Sequence, residues 1–151
     1  MKIAIGNDHA AVEMKQYIVE YLKAKGHEMI DFGIGPGEAV DYPRPAEAVG
    51  KCVVSGEAER GILVCGTGIG ISIAANKVHG VRCACVSDPV SARQCRAHND
   101  CNVIAFGERI VGKQVAEAIV DAFLTTEHEG GRHSRRVDMI MKLEQDQTCG
   151  E

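Results

Sequence analysis

The pattern that most constrains this chain is an alternation of short aliphatic runs with longer amphipathic stretches. The runs are Ile3-Ala4-Ile5, Met29-Ile30, Ile62-Leu63-Val64, Cys83-Ala84-Cys85-Val86 and Val103-Ile104-Ala105-Phe106. Most are apolar without a break, as expected of strands covered on both faces. The stretches between them repeat at helical spacing. Met14, Ile18, Tyr21 and Leu22 share one face, with Gly26 as a stop. Val115, Ala118, Ile119, Ala122 and Phe123 predict a second apolar stripe. Past Gly130-Gly131, the residues Val137, Ile140, Met141 and Glu144 predict a last helix over about 132–146, with a short tail to 151. The segment from Gly33 to Pro45 holds most of the prolines and reads as a loop. The alternation implies an α/β fold: a three-layer α/β/α sandwich, Rossmann-like, around a five-stranded parallel sheet. No repeat or linker interrupts the 151 residues, so 1–151 reads as a single domain.

Composition narrows the partners. A net charge of -4 argues against a nucleic-acid or anionic-membrane surface. No apolar run approaches the roughly 18 residues of a spanning helix. The N-terminal MKIAIGNDH turns polar too early for a signal peptide. The seven cysteines therefore read as reduced thiols of a cytoplasmic protein rather than a disulfide framework.

In parallel sheets, ligands bind beyond the carboxyl ends of the strands. Three segments occupy such places: Gly6-Asn7-Asp8-His9, Cys65-Gly66-Thr67-Gly68-Ile69-Gly70 and Gly107-Glu108-Arg109. The glycine spacing fits neither the dinucleotide fingerprint nor the P-loop. What remains is a loop whose amides can meet an anion or a developing oxyanion, or a tight turn that needs glycine for geometry alone. Cys65, at its mouth, is a nucleophile, a base or a small buried hydrophobe.

Other residues carry paired readings. Asp8 suits the N-cap of the first helix. His98-Asn99-Asp100 precedes the fifth strand, at the end of the sheet away from the glycine loop. To serve a site at the carboxyl ends, His98 would have to reach a neighbouring subunit. Arg132 and Arg136 lie one helical turn apart, as a phosphate clamp or a solvated basic turn. Cys83, Cys85, Cys95, His98 and Cys101 match no ordinary zinc spacing, so no metal is expected. Cys83 and Cys85 would share one sheet face, as core residues do.

Taken together, Gly6-Asn7-Asp8-His9, Asp41-Tyr42-Pro43, the run from Cys65 to Lys77, His98-Asn99-Asp100 and Gly130-Gly131-Arg132-His133 with Arg136 resemble the type B ribose-5-phosphate isomerases. That family also includes the galactose-6-phosphate isomerase subunits. The resemblance runs to about residue 145. It implies a metal-free, cofactor-free aldose–ketose isomerase of pentose phosphate metabolism, interconverting ribose 5-phosphate and ribulose 5-phosphate through a cis-enediolate. The family's base is a cysteine before the glycine loop or a glutamate after it. With Cys65 and Ile71 in those places, the chain is similar to the thiol subclass.

By the same resemblance, Cys65 moves the proton between C1 and C2 and Thr67 assists at the oxygens or orients the thiol. The amides of Gly66, Gly68, Ile69 and Gly70 hold the enediolate. His98 and Asp8 open the furanose ring, and Asn99 and Tyr42 position hydroxyls. His9, Arg109, Arg132 and Arg136 bind phosphate. His98 and Asn99 come from the adjoining subunit of a homodimer, and the family's dimers often pair into tetramers. Two alternatives are another sugar phosphate (galactose, allose or a tetrulose) and a non-catalytic binding module. The galactose-type subunits tend to lack the His-Asn-Asp or the paired arginines, and a mere binder needs no Cys65, Thr67 and His98 together.

Overall fold

A computed structural model describes residues 1–148; Cys149 and the rest of the expected tail lie outside the described residues. Five strands, β1 (Lys2–Asn7), β2 (Glu28–Asp31), β3 (Arg60–Cys65), β4 (Cys83–Cys85) and β5 (Val103–Gly107), form one parallel sheet in the order β2-β1-β3-β5-β4. Six helices accompany them: α1 (Val12–Ala24), α2 (Pro43–Val54), α3 (Ile69–Ala75), α4 (Pro89–Asn99), α5 (Lys113–Thr125) and α6 (Arg132–Thr148). The architecture is the expected three-layer α/β sandwich.

Strand alternation builds two cores. Ile3, Ile5, Ile62, Val64, Ile104 and Phe106 point to one face, where they pack with α1, α4 and α5. The intervening Ala4, Leu63, Cys65, Val103 and Ala105 point to the other, under α2 and α3. Right-handed crossovers account for this division. Steps toward β4 carry their helices on one face, and the two reversed steps, β1 to β2 and β4 to β5, carry theirs on the other. The order reverses between β1 and β3, so the segments after these two strands flank the switch point, where ligands enter open α/β sheets.

Four details differ from expectation. The loop read over Gly33–Pro45 ends early, because α2 opens on Pro43, a residue preorganised for a first helical turn. The buried face of α5 is Ala116, Ile119, Val120, Phe123 and Leu124, so Val115 and Ala118 point to solvent. Cys85 is exposed and Cys83 only half-buried, since β4 is a three-residue edge strand and not a core strand. The last helix extends to Thr148, two residues beyond the expected end. No helix among the described residues is long and apolar enough to cross a membrane.

Candidate active site

The segment after β1 is held by Asn7, a fully buried amide. Its Oδ1 accepts the Ile34 N–H at 3.0 Å and its Nδ2 donates to the Asp8 carbonyl at 2.8 Å. This pins the β2–α2 loop to the end of β1. Asp8, also buried, does not cap α1. Its Oδ1 accepts the Ala10 N–H at 2.9 Å in a local turn, four residues short of Val12. The cap comes from Glu108, whose carboxylate accepts the Met14 N–H at 3.0 Å. Sequence spacing could not show that long-range partner. His9 follows, exposed.

β3 delivers Cys65, only 4% exposed, to the glycine loop. Gly68 takes φ +81°, a left-handed conformation, and its N–H donates to the Cys65 sulfur at 3.1 Å. The Thr67 hydroxyl accepts the Ile69 N–H at 3.2 Å. Two of the four amides expected to face a ligand therefore already have acceptors inside the loop. Gly68 in particular serves the sulfur. The loop lies directly on β5. A Cβ on Gly68 would fall 2.8 Å from the Phe106 Cα, and one on Gly107 would fall 2.6 Å from the Thr67 Cα.

Two more residues join this cluster. The Arg109 N–H donates to the Gly66 carbonyl at 3.1 Å. Its guanidinium lies 3.4 Å from where a Gly66 Cβ would stand, and the Tyr42 ring lies 2.8 Å from the corresponding point on Gly70. Cys65, Thr67, the loop amides, Arg109, Tyr42 and the Asp8–His9 turn thus form one shelf at the carboxyl end of the sheet.

A second cluster forms at the other end. His98 and Asn99 close α4, and Asp100 follows at φ +47°. That strained turn is fixed by ion pairs. The Asp100 carboxylate takes Arg96 at 2.7 Å and Arg82 at 3.2 Å, and the buried Arg96 also donates to the Cys101 carbonyl at 2.7 Å. The His98 ring stacks on His133 of α6, centroids 4.2 Å apart and 4° from parallel. Arg132 and Arg136 stand exposed beside them on the first turns of α6. Burial, with the His98 ring and the Arg132 guanidinium as neighbours, lowers the His133 pKa below the ordinary histidine value.

His98, Glu129 and His133 place three possible ligand atoms within 4.8 Å of one another. Both Nε2 atoms face the same Glu129 carboxylate oxygen, at 3.8 and 3.5 Å, so the trio is a stacked histidine pair with a carboxylate beside it. The cysteines of the rejected zinc reading separate likewise: Cys95 and Cys101 pack together, whereas His98 turns to α6.

The two clusters do not meet within one chain. α4 leads into the start of β5, and Arg109 follows its end. At about 3.3 Å per residue, β5 alone separates them by roughly 13 Å. Arg109 lies with Cys65, and Arg132 and Arg136 lie with His98. The expected phosphate ligands are thereby divided between the two ends. His133, Glu129 and Arg82 carry the second cluster but had no assigned part. The i, i+4 spacing of Arg96 and Asp100 was the visible hint of its framework.

A family described as Ribose/Galactose Isomerase matches residues 3–140. The chain belongs to it. Among members of the Ribose/Galactose Isomerase family, ribose-5-phosphate isomerase B of Escherichia coli is 51% identical over 144 residues, covering 95% of this chain and 97% of the relative. The solved structure of Clostridium thermocellum ribose-5-phosphate isomerase B superimposes with a TM-score of 0.95 at 50% identity, covering 97% of this chain and 99% of the other. A Mycoplasma genitalium ribose-5-phosphate isomerase B with bound ribulose-5-phosphate gives a TM-score of 0.88 at 39% identity, covering 95% and 96% of the two chains.

Proposed function

We propose that this chain interconverts ribose 5-phosphate and ribulose 5-phosphate through a cis-enediolate, with Cys65 as the carbon base. The observation that carries the reading is the Gly68 N–H directed at the Cys65 sulfur at 3.1 Å. A thiolate is stabilised by such a donor, and the thiolate is the form that takes a proton from carbon. Cys65 takes the proton from C2 of the open-chain aldose and returns it to C1. Because the Thr67 hydroxyl oxygen accepts from Ile69, its own proton is free to go to a sugar oxygen. Tyr42 and Arg109 wall the shelf, the latter offering charge to a developing enediolate or to phosphate. The proton shuttle requires no electron sink.

Ring opening and the remaining phosphate contacts need His98, Asn99, Arg132 and Arg136, which one chain holds at the wrong end of its sheet. A partner subunit supplies them in this reading. Ile69, Ile73, Val90 and Ile110, all more than half exposed, are apolar surface suited to its contact. The same reading makes the protein a metal-independent cytoplasmic homodimer.

The test uses two inactive variants, Cys65→Ala and His98→Ala, mixed under conditions that let subunits exchange. A hybrid dimer has one site lacking both groups and one intact site. Equal mixing then restores roughly a quarter of wild-type turnover of ribose 5-phosphate. Exchanged hybrids without activity would refute the shared site, and an active Cys65→Ala protein would refute the base.

A further inference from the structure

We propose that Cys95 and Cys101 form a second reactive site, at which a small hydroperoxide converts two thiols into a disulfide spanning His98, Asn99 and Asp100. Both cysteines are buried, at 7% and 6% exposure. The Cys101 N–H donates to the Cys95 carbonyl at 3.0 Å. That bond closes the turn of residues 95 to 101 on itself and sets the two residues side by side, as a disulfide, which spans Cα atoms roughly 4.4–6.8 Å apart, requires. The Cys95 thiol donates to the Ala92 carbonyl at 3.2 Å, with the Cys101 sulfur beside it.

The surroundings divide the labour between the sulfurs. The neighbouring Cys95 thiol, with Arg82 and Arg96 close by, lowers the Cys101 pKa despite its burial. The same contact, with burial, raises that of Cys95. Arg96 keeps a buried Nε–H without an acceptor, so negative charge at Cys101 meets an underused cation. A cavity of about 550 Å³, lined by Cys83, Cys95, Cys101, Asn99 and Met141, gives a molecule of peroxide size access to both.

The chemistry balances with the peroxide as oxidant. The Cys101 thiolate attacks one peroxide oxygen; an S–O bond forms, the O–O bond breaks and hydroxide leaves. The Cys95 sulfur then attacks the Cys101 sulfenic acid. An S–S bond forms, the S–O bond breaks, and the departing hydroxyl takes the Cys95 proton as water. Two thiols and one hydrogen peroxide thus give one disulfide and two waters.

The consequence rests on the isomerase reading given above. Drawing the sulfurs to bonding distance tightens the turn that carries His98 and Asn99, moving them from the position the partner's sugar requires. Oxidation therefore lowers turnover, and a thiol reductant restores it.

The experiment treats wild-type protein and Cys95→Ala with equimolar hydrogen peroxide, blocks free thiols with an alkylating reagent and digests with trypsin. Arg96 lies between the two cysteines, so the disulfide joins two separate peptides. In wild type, the expected result is that joined pair, two hydrogens lighter than the separate thiol peptides. Turnover of ribose 5-phosphate should fall about 10- to 100-fold, as for a misplaced catalytic group, and return with reductant. The Cys95→Ala protein should give no joined pair and keep its turnover, after correction for the Cys65 oxidation measured in the same digest. Cys95→Ser serves if the alanine variant does not fold. Alkylated Cys95 and Cys101 with no joined pair would overturn the site. A joined pair with unchanged turnover would overturn the link to activity. A wild-type protein inert toward ribose 5-phosphate before any peroxide would instead count against the isomerase reading, and the peptides would still report on the cysteines.

Discussion

Replacing Gly68 by alanine tests the seat of the thiol directly. At φ +81° an alanine pays about 1–2 kcal/mol for the left-handed conformation. Its Cβ would also stand 2.8 Å from the Phe106 Cα and carbonyl carbon, both backbone atoms of a central strand. Relieving such an overlap costs about 1–3 kcal/mol. The sum, about 2–5 kcal/mol, should appear in urea unfolding as a lower midpoint at unchanged slope. The cheapest relief moves the loop away from β5 and lengthens the 3.1 Å contact between the Gly68 N–H and the Cys65 sulfur. A hydrogen bond to a charged group contributes about 1.5–3 kcal/mol, so kcat should fall by about 10- to 150-fold at one decade per 1.36 kcal/mol. Gly112→Ala is the control. Its φ is -80° and nothing lies within 4 Å of an added Cβ, so neither quantity should change. A Gly68→Ala protein as stable and as fast as wild type would show that the loop does not hold the sulfur as described.

Arg136→Ala should raise KM for ribose 5-phosphate about tenfold or more while leaving the turnover of free ribose, however slow, unchanged; steady-state kinetics on both sugars check this. Phe123→Ala, which empties a fully buried position between α5 and the sheet, should cost about 3–5 kcal/mol in urea unfolding. His133 has a folded pKa below its unfolded value near 6.5, so the unfolded chain binds more protons between the two. Stability should therefore fall as pH drops through that window, and His133→Gln should flatten this part of the profile measured by denaturant midpoints.

The fold was legible because three central strands are buried on both faces and their apolar runs have no competing explanation. Helix faces were less so. In α5 the residues from Val115 to Leu124 are apolar on two sides, and only packing selects Ala116, Val120 and Leu124 over Val115 and Ala118. Prolines concealed the start of α2, since Pro43 opens a helix as readily as it sits in a loop. At the candidate site, the strand-end rule located Cys65, Asp8 and Arg109, and the same rule placed His98 away from them. The Glu108 cap, the Asn7 staple and the His98–His133 stack were hidden because each joins residues at least 27 positions apart.

The glycine loop touches β5 through main chain alone, Thr67 against Gly107 and Gly68 against Phe106, with no side chain interposed. In the proposed isomerase this contact separates reactivity from selectivity. Substitutions in the surrounding wall can reshape what enters without disturbing the sulfur's seat. In the proposed isomerase, exchanges in that wall would tune which sugar fits while the main-chain contact with β5 keeps the sulfur in place.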